Sequence, residues 1–134
     1  MGDLTKNISR HEVACKCGKC NFQSVDYQTI MMVQGACDYF EDKLGKQVTL
    51  MISSGQRCPA HNEKEGGADQ SYHISGGALD HYIKEVTRQE LYDYYCTRYP
   101  KRFGFGLYFN RNTPFVHADS RSGAPWRKVY PKKG

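Results

Sequence analysis

No stretch of this chain stays apolar for long. A membrane-crossing helix needs about 20 consecutive apolar residues. No run approaches that in a chain with 39% hydrophobic residues and a mean hydropathy of −0.72, so a span is excluded. The opening residues, Met1-Gly2-Asp3-Leu4-Thr5-Lys6-Asn7, lack the apolar core of a secretory leader. Synthesis in a cytoplasm without a signal peptide is therefore expected, with any exit by another route. Internal repeats and low-complexity segments are missing too, and 134 residues suit one domain rather than two. Nor is there strong charge of one sign. Nineteen Lys+Arg against 14 Asp+Glu leave +5, part of it in Arg127, Lys128, Lys132 and Lys133 near the C-terminus. An excess that small reads as a solvated surface with a mild attraction to polyanions.

Cysteine is present, six times, but without a leader the thiols are expected to be reduced. Cys37 and Cys96 fall in expected helices and read as core residues. Cys15-Lys16-Cys17-Gly18-Lys19-Cys20 has half the spacing of a zinc knuckle, yet only Cys58 is free to complete it. The other reading of that loop is a tight turn packing small thiols.

The clearest periodicity lies over residues 27 to 44, where Ile30, Val33, Cys37, Phe40 and Leu44 make one helical stripe ending at Gly45. Met31, Met32 and Tyr39 flank it as packing residues. Gln47 to Ser53 alternates as a strand and runs into Ser54-Gly55-Gln56-Arg57-Cys58-Pro59. Pro59 then opens a short helix through Glu65. Ala78 to Lys84 reads as a strand with Ala78, Asp80 and Tyr82 on one face. Thr87-Arg88-Gln89-Glu90 is a capping box for a second helix, ending near Arg98 before Pro100. Phe103 to Phe109 and Pro114 to Asp119 form a hairpin, with Phe115, His117 and Asp119 sharing a face. Trp126 lies in a tail expected to fold back over the core.

Two segments carry chemistry. Ser71-Tyr72-His73-Ile74-Ser75-Gly76-Gly77-Ala78-Leu79-Asp80 sets an imidazole seven residues before a carboxylate. Phe115-Val116-His117-Ala118-Asp119 adds a second histidine and a second acid. Two His and one Asp make a workable zinc triad, and three protein ligands leave a fourth position for water. Each residue alone reads more simply as structural, and only their company argues for a metal. Arg57 sits at a strand end, a common place for functional side chains, and reads equally well as a surface arginine.

The ordered series Ile52-Ser53-Ser54-Gly55-Gln56-Arg57-Cys58-Pro59-Ala60-His61-Asn62, Gly66-Gly67-Ala68, Ser71-x-His73-x-x-Gly76-x-Ala78-x-Asp80, Gly104-Phe105-Gly106-Leu107-Tyr108 and Phe115-Val116-His117-x-Asp119 resembles the zinc D-Ala-D-Ala carboxypeptidase family, peptidase family M15. It looks closest to the small single-domain members from phages and bacteria, over residues 8 to 129. The resemblance implies an α+β fold with a central antiparallel sheet flanked by helices, shared with the hedgehog signalling domain. The whole chain would be one peptidase domain, with a Cys-containing N-terminal loop and a basic C-terminal tail. It implies Zn2+ held by His73, Asp80 and His117, with Arg57 binding a substrate carboxylate and Ser71 near the substrate. The implied reaction is hydrolysis of peptidoglycan stem peptides at the cell wall by a metal-activated water. A monomer or a virion component is expected, and no nucleic-acid partner. Some relatives carry an acid three residues before the last histidine, where this chain has Pro114. Asp119 is then nominated as general base, beside an equal reading in which it orients a ligand histidine. An inactive zinc-binding module of the same fold is the alternative function.

Overall fold

A computed structural model of the chain describes residues 5–9, 26–54 and 77–131. In chain order these contain helix α1 (Tyr27–Leu44), strands β1 (Leu50–Ser54) and β2 (Ala78–Ile83), and helix α2 (Arg88–Arg98). Strands β3 (Gly104–Tyr108), β4 (Phe115–Asp119) and β5 (Trp126–Tyr130) follow. The five strands form one sheet in the order β1-β2-β4-β3-β5, and the fold is α+β. Every pairing is antiparallel except β3 with β5, which is parallel.

Local chemistry sets both helices. The Asp26 carboxylate accepts from the backbone N–H groups of Gln28 and Thr29, satisfying donors that have no partner inside α1. Gly45 closes the helix at φ 68°, a left-handed backbone that glycine adopts without a Cβ penalty. Ile30, Val33, Cys37 and Phe40 are all buried, at about 1.5–3 kcal/mol for each large apolar side chain. Leu44, expected in the same stripe, is 40% exposed. It lies one turn beyond Phe40, the last buried residue of the helix. At α2 the expected capping box is complete: Thr87 accepts from the Glu90 backbone, and Glu90 accepts from the Thr87 backbone.

Leu91 and Tyr95 of α2 join the α1 stripe and one face of the sheet in a single core. The sheet supplies Leu79, Ile83, Phe105, Leu107, Val116 and Ala118 to it. His81 lies on this face as well. It is fully buried, with Nδ1 against the Leu79 carbonyl (3.1 Å) and Nε2 against the Tyr95 hydroxyl (2.7 Å). Because a carbonyl only accepts, Nδ1 carries the proton and Nε2 receives the Tyr95 O–H. Burial lowers the His81 pKa to about 4, so the ring is neutral and structural.

Three expectations are corrected. The first strand begins at Leu50, three residues later than expected, although Val48 is still buried. Cys96 is only partly buried, whereas Cys37 is enclosed. The C-terminal segment is a fifth strand rather than a cover for the core. Arg127 there is no solvated charge: it donates to the carbonyls of Phe103 (2.9 Å), Trp126 (2.8 Å), Tyr99 and Arg102 (3.0 Å). Its guanidinium also packs 4.7 Å from the Phe105 ring. The strand thereby satisfies carbonyls left free after α2 ends.

Candidate active site

Residues directly opposite on neighbouring strands share a face of the sheet. The pairings Asp80↔His117, His117↔Gly106 and Gly106↔Lys128 therefore form one row across β2, β4, β3 and β5. Ala78, Asp119, Gly104 and Trp126 form the adjacent row. Both rows lie opposite the helix-covered core, since the alternation that buries Leu79, Val116 and Phe105 turns these residues the other way. The Gly77 carbonyl, at the start of β2, accepts from Thr29 Oγ1 (2.9 Å) and from the Ser120 backbone (3.1 Å). Helix α1 thus fixes the point where the chain reaches Asp80.

The centre of this face is His117. Its Nδ1 lies 2.9 Å from Asp80 Oδ1, and its Nε2 lies 2.8 Å from Asp119 Oδ2. Asp80 is 4% exposed and Asp119 is fully buried. Burial by itself would lower the His117 pKa. The hydrogen bonds to Asp119 and Asp80 outweigh it and raise the value to about 9. Burial opposes ionisation of Asp119, but the Arg121 and His117 bonds hold its carboxyl well below the usual carboxylate range. Arg121 meets Asp119 in a fork, Nε to Oδ1 at 2.8 Å and Nη2 to Oδ2 at 2.7 Å, and its backbone N–H reaches Oδ1 at 3.1 Å.

Aromatic rings enclose the histidine. Trp126 stands edge-on to His117 at 5.8 Å, and the Arg121 guanidinium lies 4.9 Å over the same indole. Tyr108 stacks on Phe115 (4.8 Å) and on Tyr130 (4.4 Å). The glycines of β3 make room for this packing. A Cβ on Gly104 would fall 2.5 Å from both Asp119 oxygens and from Arg121 Nε, and one on Gly106 would fall 2.7 Å from the Tyr108 ring.

Of the six residues singled out in the sequence, the fold joins Asp80, His117 and Asp119. Arg57, Ser71 and His73 lie outside the described residues, as do the Cys15 to Cys20 loop, Cys58 and the expected helix after Pro59. Among the described residues no group of three or more His, Cys, Asp or Glu side chains is set to hold a metal. The two expected ligands present there nevertheless fit one. Arms of about 2.0–2.2 Å to a tetrahedral zinc put ligand atoms roughly 3.4 Å apart, and the 2.9 Å pair needs only a small opening to match.

The family model described as Peptidase M15 matches residues 6–119. The chain belongs to the M15 peptidase family. The match spans both elements of the site, the Asp80 strand and the His117 strand. An M15 peptidase is a hydrolase of the metallopeptidase kind, acting on a peptide substrate. No curated protein matches the chain. No helix among the described residues is long and apolar enough to cross a membrane. Sequence reasoning missed Arg121 and Trp126. For Arg121 the signal was there, since Asp119-x-Arg121 places a guanidinium two residues past a strand-end acid; Trp126 was hidden because the adjacent Arg127 and Lys128 break the strand alternation of Trp126-Arg127-Lys128-Val129-Tyr130.

Proposed function

We propose that this M15 peptidase is zinc-dependent and hydrolyses peptide bonds in peptidoglycan stem peptides at the cell wall. The observation that carries the reading is the 2.9 Å approach of Asp80 Oδ1 to His117 Nδ1 on adjacent strands, in a chain of this family. His73 is the proposed third ligand. When bound, zinc supplies a Lewis acid and a water acidified to a pKa of about 7. Asp80 and His117 hold that ion, and the buried surroundings strengthen every charge interaction made there. Arg57 holds a substrate carboxylate by charge-assisted hydrogen bonds, and Ser71 lies beside the peptide. The Trp126 and Tyr108 rings wall the site and limit water around His117. The protein works as a monomer or as part of a virion, with no nucleic-acid partner.

Two observations favour a second reading, an inactive zinc-binding module. Pro114 stands where some relatives carry an acid, and both oxygens of Asp119 are already engaged. Purified peptidoglycan incubated with the zinc-loaded chain, with and without chelator, separates the two. Chelator-sensitive release of new peptide termini, absent in His73→Ala, is the expected result. Intact walls of every type would leave the binding module.

A further inference from the structure

We infer that Asp119 and Arg121 form a clamp that positions His117, and that Asp119 is not the general base. The inference rests on the zinc reading above and assigns Arg121 a part in the site. A carboxylate offers about four acceptor positions. In Asp119 all four are taken: Oδ1 by the Arg121 backbone N–H and Nε, and Oδ2 by Arg121 Nη2 and His117 Nε2. Asp119 is also fully buried and bonded to the Nε2 edge of the ring, whereas Asp80 meets the Nδ1 edge. A base must reach the water whose proton it removes. A saturated carboxylate on the other edge of the ring from Asp80 does not.

The same geometry suits an orienting role. A histidine that ligates through one nitrogen donates its other N–H to a carboxylate, which fixes tautomer and ring angle. Here Nε2–H is committed to Asp119, leaving Nδ1 to face the Asp80 side. Arg121 fixes the two Asp119 oxygens through a planar fork, which lysine cannot copy. Trp126 lies against both Arg121 and His117, so the parallel strand β5 braces the clamp. Gly104 leaves the space that the carboxylate and guanidinium occupy.

The test uses wild type, Asp119→Asn, Arg121→Gln, Arg121→Lys and the Asp119→Asn/Arg121→Gln double variant, with zinc alone as the probe. Zinc affinity is read by chelator competition, and peptide hydrolysis is read at saturating zinc. Each single variant is expected to lose about 10–100-fold in zinc affinity. The double variant should lose little more, because the two residues act through one contact. Tyr95→Phe, a destabilised variant on the core face, should keep wild-type affinity and so controls for general loosening. Arg121→Lys keeps the charge and serves if the glutamine variant does not fold. Wild-type zinc affinity in Asp119→Asn, with hydrolysis reduced more than 100-fold, would make Asp119 the base and overturn the inference. Unchanged affinity in both Arg121 variants would remove Arg121 from the site and overturn it too. A wild type that binds no zinc would sink the zinc reading alone. The clamp is then judged by 15N spectra of the ring. A slowly exchanging Nε2 proton, lost in Asp119→Ala, supports it, and its absence from wild type refutes it.

Discussion

Tyr95→Phe removes one hydroxyl from the centre of the core and leaves the ring. The ring stacks on Phe105 at 4.8 Å with planes 3° apart, and phenylalanine keeps that contact. What disappears is the 2.7 Å bond to His81 Nε2, on a side chain with no exposure to solvent. An acceptor stranded in the interior costs about 1–3 kcal/mol. In a chain of this length that corresponds to a fall in Tm of roughly 3–4 °C per kcal/mol. Differential scanning calorimetry at pH 7.5 measures it. Hydrolysis per zinc-loaded chain should stay within about twofold, since His81 and Asp80 point to opposite faces of β2.

His81 adds a pH signature to the same experiment. Its folded pKa of about 4 lies below the ordinary 6.5. Folding therefore favours the neutral ring, and that contribution is present above pH 6.5 and lost as pH falls through 4. The difference amounts to about 3 kcal/mol. His117 does not confuse the window. In the metal-free chain, the form to scan, its folded pKa of about 9 is raised, so its contribution there is complete below pH 6.5 and is lost only as pH rises toward 9. A Tm in Tyr95→Phe equal to wild type, or no acid-side loss between pH 6.5 and 4, would refute the tautomer and burial assigned to His81.

Other perturbations probe different parts of the fold. Gly104→Ala forces a methyl to within 2.5 Å of the Asp119 carboxylate and Arg121; it should cost about 1–3 kcal/mol by overpacking and weaken zinc binding, both readable by thermal shift with and without zinc. The Cys37 thiol, pushed up to about 12 by burial and the nearby Glu41 and Asp38 carboxylates, should resist iodoacetamide at pH 8 while partly buried Cys96 is labelled. Peptide mapping by mass spectrometry decides, and equal labelling would contradict the enclosed position of Cys37.

Much of the fold was legible because local chemistry and tertiary packing agreed. The α1 stripe, its Gly45 stop and the Thr87 capping box are written in short-range spacing, and the structure repeats them. The hairpin of β3 and β4 followed from alternation around Asn110 to Thr113. The fifth strand was hidden because charge disguised it. Arg127 and Lys128 look like a solvated tail, and only tertiary structure shows the Arg127 guanidinium satisfying four carbonyls. In the site, strand periodicity put His117 and Asp119 on one face, and pairing with β2 brought in Asp80. No local pattern reveals which edge of an imidazole each acid meets. That depends on register between strands 37 residues apart in sequence, and it is what distinguishes an orienting acid from a base. The glycines at 104 and 106 read as strand residues, but their function is volume, which a one-dimensional pattern does not show.

Zinc stoichiometry measured together with wall cleavage tests the central claim most directly. Purified wild type, Asp80→Ala and His117→Ala should be loaded, gel-filtered and assayed for bound zinc, then incubated with purified peptidoglycan while new peptide termini are followed by mass spectrometry. One zinc per wild-type chain is expected, with termini appearing only where zinc is retained, and both properties lost in either variant. Retained zinc in Asp80→Ala and His117→Ala, or cleavage by a chain stripped of metal, would contradict a metal centre built on these two strands.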